Sequence, residues 1–148
     1  MKFLIDTNIF LYAANAGSDS HAPARKFLDL HLRAQEPWCT TWPILYEFLR
    51  VATHRRVFPK PLTAKAAWDF VEKLISRDEV SILTETSRHA AVLGKVLDEL
   101  AHPAGNLFHD IHTAVLMREH GVREIVTADT DFLQFAFLSV TNPLLPGS

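Results

Sequence analysis

Three apolar residues, Phe3-Leu4-Ile5, run straight into Asp6-Thr7-Asn8, after which Ile9-Phe10-Leu11-Tyr12-Ala13-Ala14 resumes an apolar pattern at helical spacing. A strand that stops on a carboxylate and turns at once into a helix is the opening of an α/β unit. The arrangement returns near the other end, where Glu124-Ile125-Val126-Thr127 meets Ala128-Asp129-Thr130-Asp131 and Phe132. In open parallel sheets ligands bind beyond the carboxyl ends of the strands. If both strands run the same way, Asp6 and the pair Asp129, Asp131 share one edge of the molecule.

The pattern alternates between these ends. Gly17 to Ser20 reads as a turn, followed by an amphipathic helix carrying Ala24, Phe27, Leu28, Leu30 and Leu32, with Pro23 in its first turn. Trp38-Cys39-Thr40 reads as a short strand, Pro43 as the start of a helix through Ala52, and Thr63 as the cap of a helix carrying Ala67, Phe70, Val71, Leu74 and Ile75. Val80 to Leu83 reads as a strand and a helix follows from about Ser87. The segment from His102 to Asn106 breaks that helix and caps the next, which runs from Leu107 to about His120 and stops at Gly121. Leu138-Ser139-Val140 is the last candidate strand, and Pro143 and Pro146 mark a tail. No repeat, low-complexity tract or linker interrupts the chain. We therefore expect one domain over residues 1–148: an α/β fold, a three-layer α/β/α sandwich on a central, mainly parallel sheet of four to five strands.

Composition narrows the class. A length of 148 residues suits one domain of roughly 100–150 residues, and 48% hydrophobic with 22% charged residues excludes disorder. The lone Cys39 forbids an internal disulfide framework and points to a reducing, cytoplasmic compartment. Asp6 interrupts the first apolar run too early for a signal peptide, and no run approaches the ~18 apolar residues of a span, so no membrane is expected. A formal charge of -2 argues at first sight against a polyanionic partner.

Singly, each acid has an ordinary structural role. Asp6 suits a helix cap, Asp110 a first helical turn, Asp129 and Asp131 a polar turn, and Glu47 an ion pair with Arg50. Glu47 resists that reading most, because Ile44, Leu45, Phe48, Leu49, Val51 and Ala52 surround it in the helix. Together the acids converge on one rim. Two bare carboxylates ~4 Å apart repel by about 4 kcal/mol at an effective dielectric of ~20, so such a cluster needs protons or cations. Oxygen ligands without Cys or paired His at zinc spacing select Mg2+ or Mn2+. The chemistry such an ion serves is in-line displacement at phosphorus by an activated water.

Phe3-Leu4-Ile5-Asp6-Thr7-Asn8, Leu45-Tyr46-Glu47-Phe48-Leu49-Arg50, Asp110 at the start of a helix ending Arg118-Glu119-His120-Gly121, and Ile125 to Phe132 together resemble the PIN-domain ribonucleases, most closely the VapC-type toxins of bacterial toxin-antitoxin systems. The resemblance spans essentially the whole chain. It implies a Mg2+- or Mn2+-dependent endoribonuclease that hydrolyses RNA phosphodiesters, leaves a 5′-phosphate and a 3′-hydroxyl, and is held inactive by a cognate antitoxin. It also implies a homodimer and a toxin-antitoxin hetero-oligomer. By position, Asp6, Glu47 and Asp110 match the family's acidic triad, Asp129 matches the fourth acid, and Asp131 stands where some members also use one. The implied metal ligands are Asp6, Asp110, Asp129 and Asp131, with Asp129 and Asp131 left as alternatives for the fourth position. Thr7, Asn8 and Thr127 resemble the polar residues that orient those carboxylates.

Phe48 through Trp68 contains no Asp or Glu but carries Arg50, Arg55, Arg56, Lys60 and Lys65. This segment reads either as a solvated surface or as a phosphate-tracking strip for RNA, with Arg118 and Arg123 as possible additions. Trp38, Trp42 and Trp68 are expected to pack in the core rather than stack on bases. His109-Asp110 spells the dyad of the all-helical HD phosphohydrolases, which the predicted strands contradict. A metal-free ribonuclease using two His leaves the acidic cluster unexplained. A receiver-like domain wants adjacent acids after its first strand, and a dehalogenase-like phosphatase wants a second Asp where Asn8 stands. A non-cleaving module that binds RNA or protein is the remaining alternative. Removing the five rim acids leaves 12 acids against 15 bases, so the charge fits a basic surface around an acidic pocket.

Overall fold

The computed structural model describes residues 2–146; Met1, Gly147 and Ser148, which the one-domain expectation includes, lie outside the described residues. The order is β1 (Phe3–Ile5), α1 (Thr7–Ala14), α2 (His21–Arg33), β2 (Trp38–Thr40), α3 (Trp42–Ala52), α4 (Ala64–Ile75), β3 (Val80–Ile82), α5 (His89–Glu99), α6 (Leu107–Glu119), β4 (Glu124–Val126), a 3-10 helix (Thr130–Gln134) and β5 (Ser139–Thr141). The strands form one sheet in the order β3-β2-β1-β4-β5, and every pairing is parallel. Phe3 pairs with Trp38 on one side and Glu124 on the other.

This order has a physical consequence. The chain steps outward from β1 to β2 and β3, then returns to the other side of β1 with β4 and β5. Right-handed crossovers then put the helices before and after that return on opposite faces. Accordingly α1 packs on α2 and α3, and α3 on α4, while α5 packs on α6. The reversal falls between β1 and β4, and the crevice it opens lies at their carboxyl ends.

A strand buried on both faces needs apolar residues on both, so β1 shows no alternation and Phe3, Leu4 and Ile5 are all buried. Phe10, Trp38 and Phe48 are fully buried beneath it, with Phe10 edge-on to Phe48 at 6.5 Å and Phe48 stacked on Phe70 at 5.1 Å. Cys39 is also buried, its Sγ donating to the Phe3 carbonyl at 3.4 Å. Trp42 and Trp68 depart from the expected core positions and are each 38% exposed. Trp42 opens α3 on its outer side against Tyr46, and Trp68 falls beside the Ala67, Val71 and Leu74 stripe that α4 buries.

Caps follow the expected pattern with one exception. The Thr41 and Thr63 hydroxyls accept from the Ile44 and Ala66 amides at 3.2 and 3.1 Å. Asn106 precedes α6 but already has helical angles and makes no side-chain cap bond. Gly121, just past α6, has φ +71, where glycine carries no Cβ penalty. The polar turn expected after β4 closes into the 3-10 helix. Among the described residues no helix is long and apolar enough to cross a membrane.

Leu4 sits fully buried in the central strand, so Leu4→Ala is expected to destabilise the protein by about 2–5 kcal/mol. Urea unfolding checks this as a lowered midpoint with unchanged slope. A loss well under 1 kcal/mol would contradict the packing around β1.

Candidate active site at the carboxyl edge of the sheet

Asp6 leaves β1 and caps α1 in the same residue. Its Oδ1 accepts from the Thr7 amide at 2.8 Å, and its Oδ2 accepts from the Thr127 hydroxyl at 2.8 Å and from Asn8 Nδ2 at 3.3 Å. Thr127 Oγ1 also accepts from Asn8 Nδ2 at 3.1 Å and from the Asp129 amide at 3.0 Å. One donated and two accepted bonds exhaust what a hydroxyl can make. Asn8 Oδ1 takes the Ala128 amide at 3.0 Å, so the end of β1 is tied to the turn after β4 from both sides. Asn8 and Thr127 thus hold Asp6 with their side chains. Thr7 holds it only through its backbone, because its hydroxyl donates to the Ile44 carbonyl at 3.1 Å and locks α1 to α3.

Asp110 enters from the first turn of α6, and Asp129 and Asp131 from the turn after β4. One oxygen from each of these three carboxylates lies within 4.8 Å of the others. Asp129 and Asp131 both lie in this group. The Asp129 carboxylate also accepts from the Asp131 amide at 2.8 Å, which fixes their relative placement. Asp6 is not in this group. Its oxygens are engaged by Thr7, Asn8 and Thr127, and it borders the same cleft of about 840 Å³ instead.

The electrostatics are those of a site short of positive charge. Burial pushes the Asp110 carboxyl up to about 7, and the charges of Asp129, Asp6 and Asp131 add to the rise. Burial likewise raises Asp6, against the hydrogen bonds from Thr127, Thr7 and Asn8 that favour its charged form. Three carboxylates grouped with no nitrogen or sulfur ligand among them, one poised to keep its proton near neutrality, are a donor set suited to a hard divalent cation.

Glu47 differs from its expected setting. Its side chain is 47% exposed and bound by Arg50, with Nη2 to Oε1 at 2.5 Å and Nε to Oε2 at 3.2 Å. The apolar residues of α3 lie on an arc to one side of Glu47, which leaves its other flank open toward Arg50. The hydrogen bond from Arg50 holds the Glu47 carboxyl below its ordinary value. Both residues still line the cleft, as Asp110 does.

Arg55, Arg56 and Lys60 are exposed in the segment joining α3 to α4, which is pinned by buried Phe58 and by the Leu62 amide on the Ala52 carbonyl at 2.9 Å. They do not line the cleft. Arg118 and Arg123 stand away from it. Arg118 lies at the far end of α6, paired with Glu99 at 2.7 Å and over the Phe137 ring at 4.5 Å, and Arg123 precedes the amino end of β4. Residues not assigned to the site from the sequence also line the cleft: Asn106, Phe108 and Thr113, together with Leu11 and Pro43, and so do His109, weighed there only as half of a dyad, and His112. The signal was available in helical spacing, since Asn106 and Thr113 fall one turn before and after Asp110.

A carboxyl whose folded value exceeds its unfolded one costs stability once both states ionise. For Asp110 the loss accrues as pH rises from 3.8 to about 7. In chelator, Asp110→Asn is therefore expected to raise Tm at pH 8 by about 2–4 °C, the shift that ~1 kcal/mol gives at this size. It should have a smaller effect at pH 5. Equal effects at both pH values, read by thermal denaturation, would contradict the crowding of charge at Asp110.

Comparison with known proteins gives the family. The family model described as PIN domain matches residues 3–138. Ribonuclease VapC37 of Mycobacterium tuberculosis is 35% identical over 89% of this chain and 90% of its own length. Ribonuclease VapC33 of the same species is 34% identical over 94% and 96%. Among solved structures, VapBC2 from Rickettsia felis bound to a promoter DNA fragment superposes with a TM-score of 0.68 at 20% identity, covering 96% of this chain and 98% of its own. The sarcin-ricin loop cleaving toxin VapC20 of M. tuberculosis superposes with a TM-score of 0.64 at 20% identity, over 92% and 96%. The chain belongs to the PIN-domain family, among the VapC ribonucleases.

Proposed function

We propose that the chain is a metal-dependent endoribonuclease toxin neutralised by a cognate antitoxin. The observation that carries this reading is the oxygen-only cluster of Asp110, Asp129 and Asp131 beside Asp6 at the β1–β4 crevice. Its relatives are named ribonucleases, and the superposed VapBC structures contain toxin with antitoxin. We take residues 1–148 as one nuclease domain acting in the cytoplasm, where the substrate RNA and a homodimeric or antitoxin-bound form would be found.

When bound, Mg2+ or Mn2+ supplies a water of lowered pKa and offsets charge on the phosphate. Asp110, Asp129 and Asp131 would hold the ion, and Asp6 supports them through Thr127, whose hydroxyl also fixes the Asp129 amide. Glu47 would complete the ion's shell directly or through water from its place in the cleft, and Arg50 exchanges its Glu47 contact for a substrate phosphate oxygen. Water as the attacking group leaves a 5′-phosphate and a 3′-hydroxyl. Arg55, Arg56 and Lys60 extend the phosphate track beyond the cleft. An antitoxin that presents Arg to the acidic rim would neutralise it in place of the ion.

Asp110→Asn and Asp129→Asn are expected to lower RNA cleavage at least ~100-fold, the low end of what loss of a catalytic group costs, with circular dichroism unchanged. EDTA should abolish cleavage, and Mg2+ or Mn2+ should restore it. Cleavage that persists in EDTA or yields cyclic phosphate ends would replace this reading with histidine chemistry. The triple variant Arg55→Ala, Arg56→Ala, Lys60→Ala should reduce the slope of log affinity against log salt by about 2 for single-stranded RNA. An unchanged slope would remove the segment from the RNA path.

A further inference from the structure

His89 and His112 belong to different helices, α5 and α6, and nothing in their sequence spacing pairs them. The fold brings their rings edge to face with centroids 5.8 Å apart. One nitrogen of each lies with a Glu85 carboxylate oxygen inside a span of 4.8 Å. Glu85 comes from the segment between β3 and α5, His89 from the first turn of α5 and His112 from the second turn of α6, so three separate pieces of chain converge.

Two details make this more than a pair of ordinary hydrogen bonds. His112 Nε2 lies 2.9 Å from Glu85 Oε1. Bonds of ~2.0–2.1 Å to one tetrahedral ion set ligand atoms about 3.3 Å apart, so this pair needs little movement. Behind His89 stands Glu119, whose side chain is fully buried and whose Oε2 meets His89 Nδ1 at 2.7 Å. Its other oxygen accepts from the Thr86 amide and hydroxyl at 2.9 and 2.6 Å, which holds the carboxylate rigidly. With the carboxylate on Nδ1, the proton belongs there and the lone pair falls on Nε2. A buried carboxylate that sets the tautomer of an imidazole is the support found behind metal-binding histidines.

We infer that Glu85, His89 and His112 form a second cation site, for a borderline-soft divalent ion of the Zn2+ type, with water completing its shell. Two imidazoles and one carboxylate suit Zn2+, whereas the Asp110, Asp129, Asp131 set suits a hard ion. The two sites are neighbours, since His112 and Asp110 line the same cleft. An ion held by Glu85, His89 and His112 clamps the β3–α5 segment and α5 onto α6, the helix that carries Asp110.

Zn2+ and Co2+ titrations of the full chain in excess Mg2+ test this. We expect one equivalent of Zn2+ to bind and Co2+ to give visible absorption of a low-coordinate, nitrogen-ligated site. His112→Ala and Glu85→Gln should each weaken Zn2+ binding at least 10-fold, and Glu119→Gln, which removes only the support, by about 10–100-fold. The Co2+ spectrum should survive in the Asp110→Asn, Asp129→Asn double variant. Glu85 is exposed, so Glu85→Gln keeps the test decisive if a buried substitution unfolds the chain. No Zn2+ binding by the wild type, unaltered binding in both His112→Ala and Glu85→Gln, or a Co2+ signal lost with Asp110 and Asp129 would each overturn the inference.

Discussion

A carboxylate largely withdrawn from water, Asp6, sits where β1 meets β4, and the hydroxyl of Thr127 makes that placement tolerable. Removing a charged group from solvent without partners costs several kcal/mol. The Thr7 amide, Asn8 and Thr127 supply them. Because Thr127 also receives the Asp129 amide, the bond that stabilises Asp6 sets the position of the next acid. The Asp129 carboxylate in turn receives the Asp131 amide. A chain of short polar contacts thus turns the strand order into a defined array of oxygens, with the sheet as its rigid base.

The array is under electrostatic tension, expressed in the raised carboxyl of Asp110. Nearby cations are few within the cleft, where Arg50 is committed to Glu47, and the other bases lie on the surrounding surface. This separation reconciles a total charge of -2 with a polyanionic substrate. Long-range attraction belongs to the bases, and short-range charge balance belongs to whatever occupies the rim.

Much of this was legible in the amino-acid order. Strand ends carrying Asp6 and Thr127, the cap at Thr63, and the alternation that makes an α/β sheet all depend on local residue chemistry. What escaped reading depends on direction in three dimensions. Glu47 has apolar neighbours on the chain, yet they crowd one flank and leave the other to Arg50. Arg118 shares a helix with Asp110 but stands two turns away from it. His89 and His112 meet only because α5 lies along α6. The 3-10 turn after β4 presents both Asp129 and Asp131 beside Asp110, a direction that the residue order does not carry.

The position of Cys39 bears on how the molecule meets oxidants and soft metals. It is the chain's one thiol, fully buried in β2, and burial pushes it up to about 12. The thiolate is the form that reacts, and at neutral pH it is essentially absent here. Among the described residues the folded protein therefore presents no thiol at its surface. Peroxide, disulfide exchange and thiol-seeking metals pass it by, and capture of any soft ion falls to imidazole.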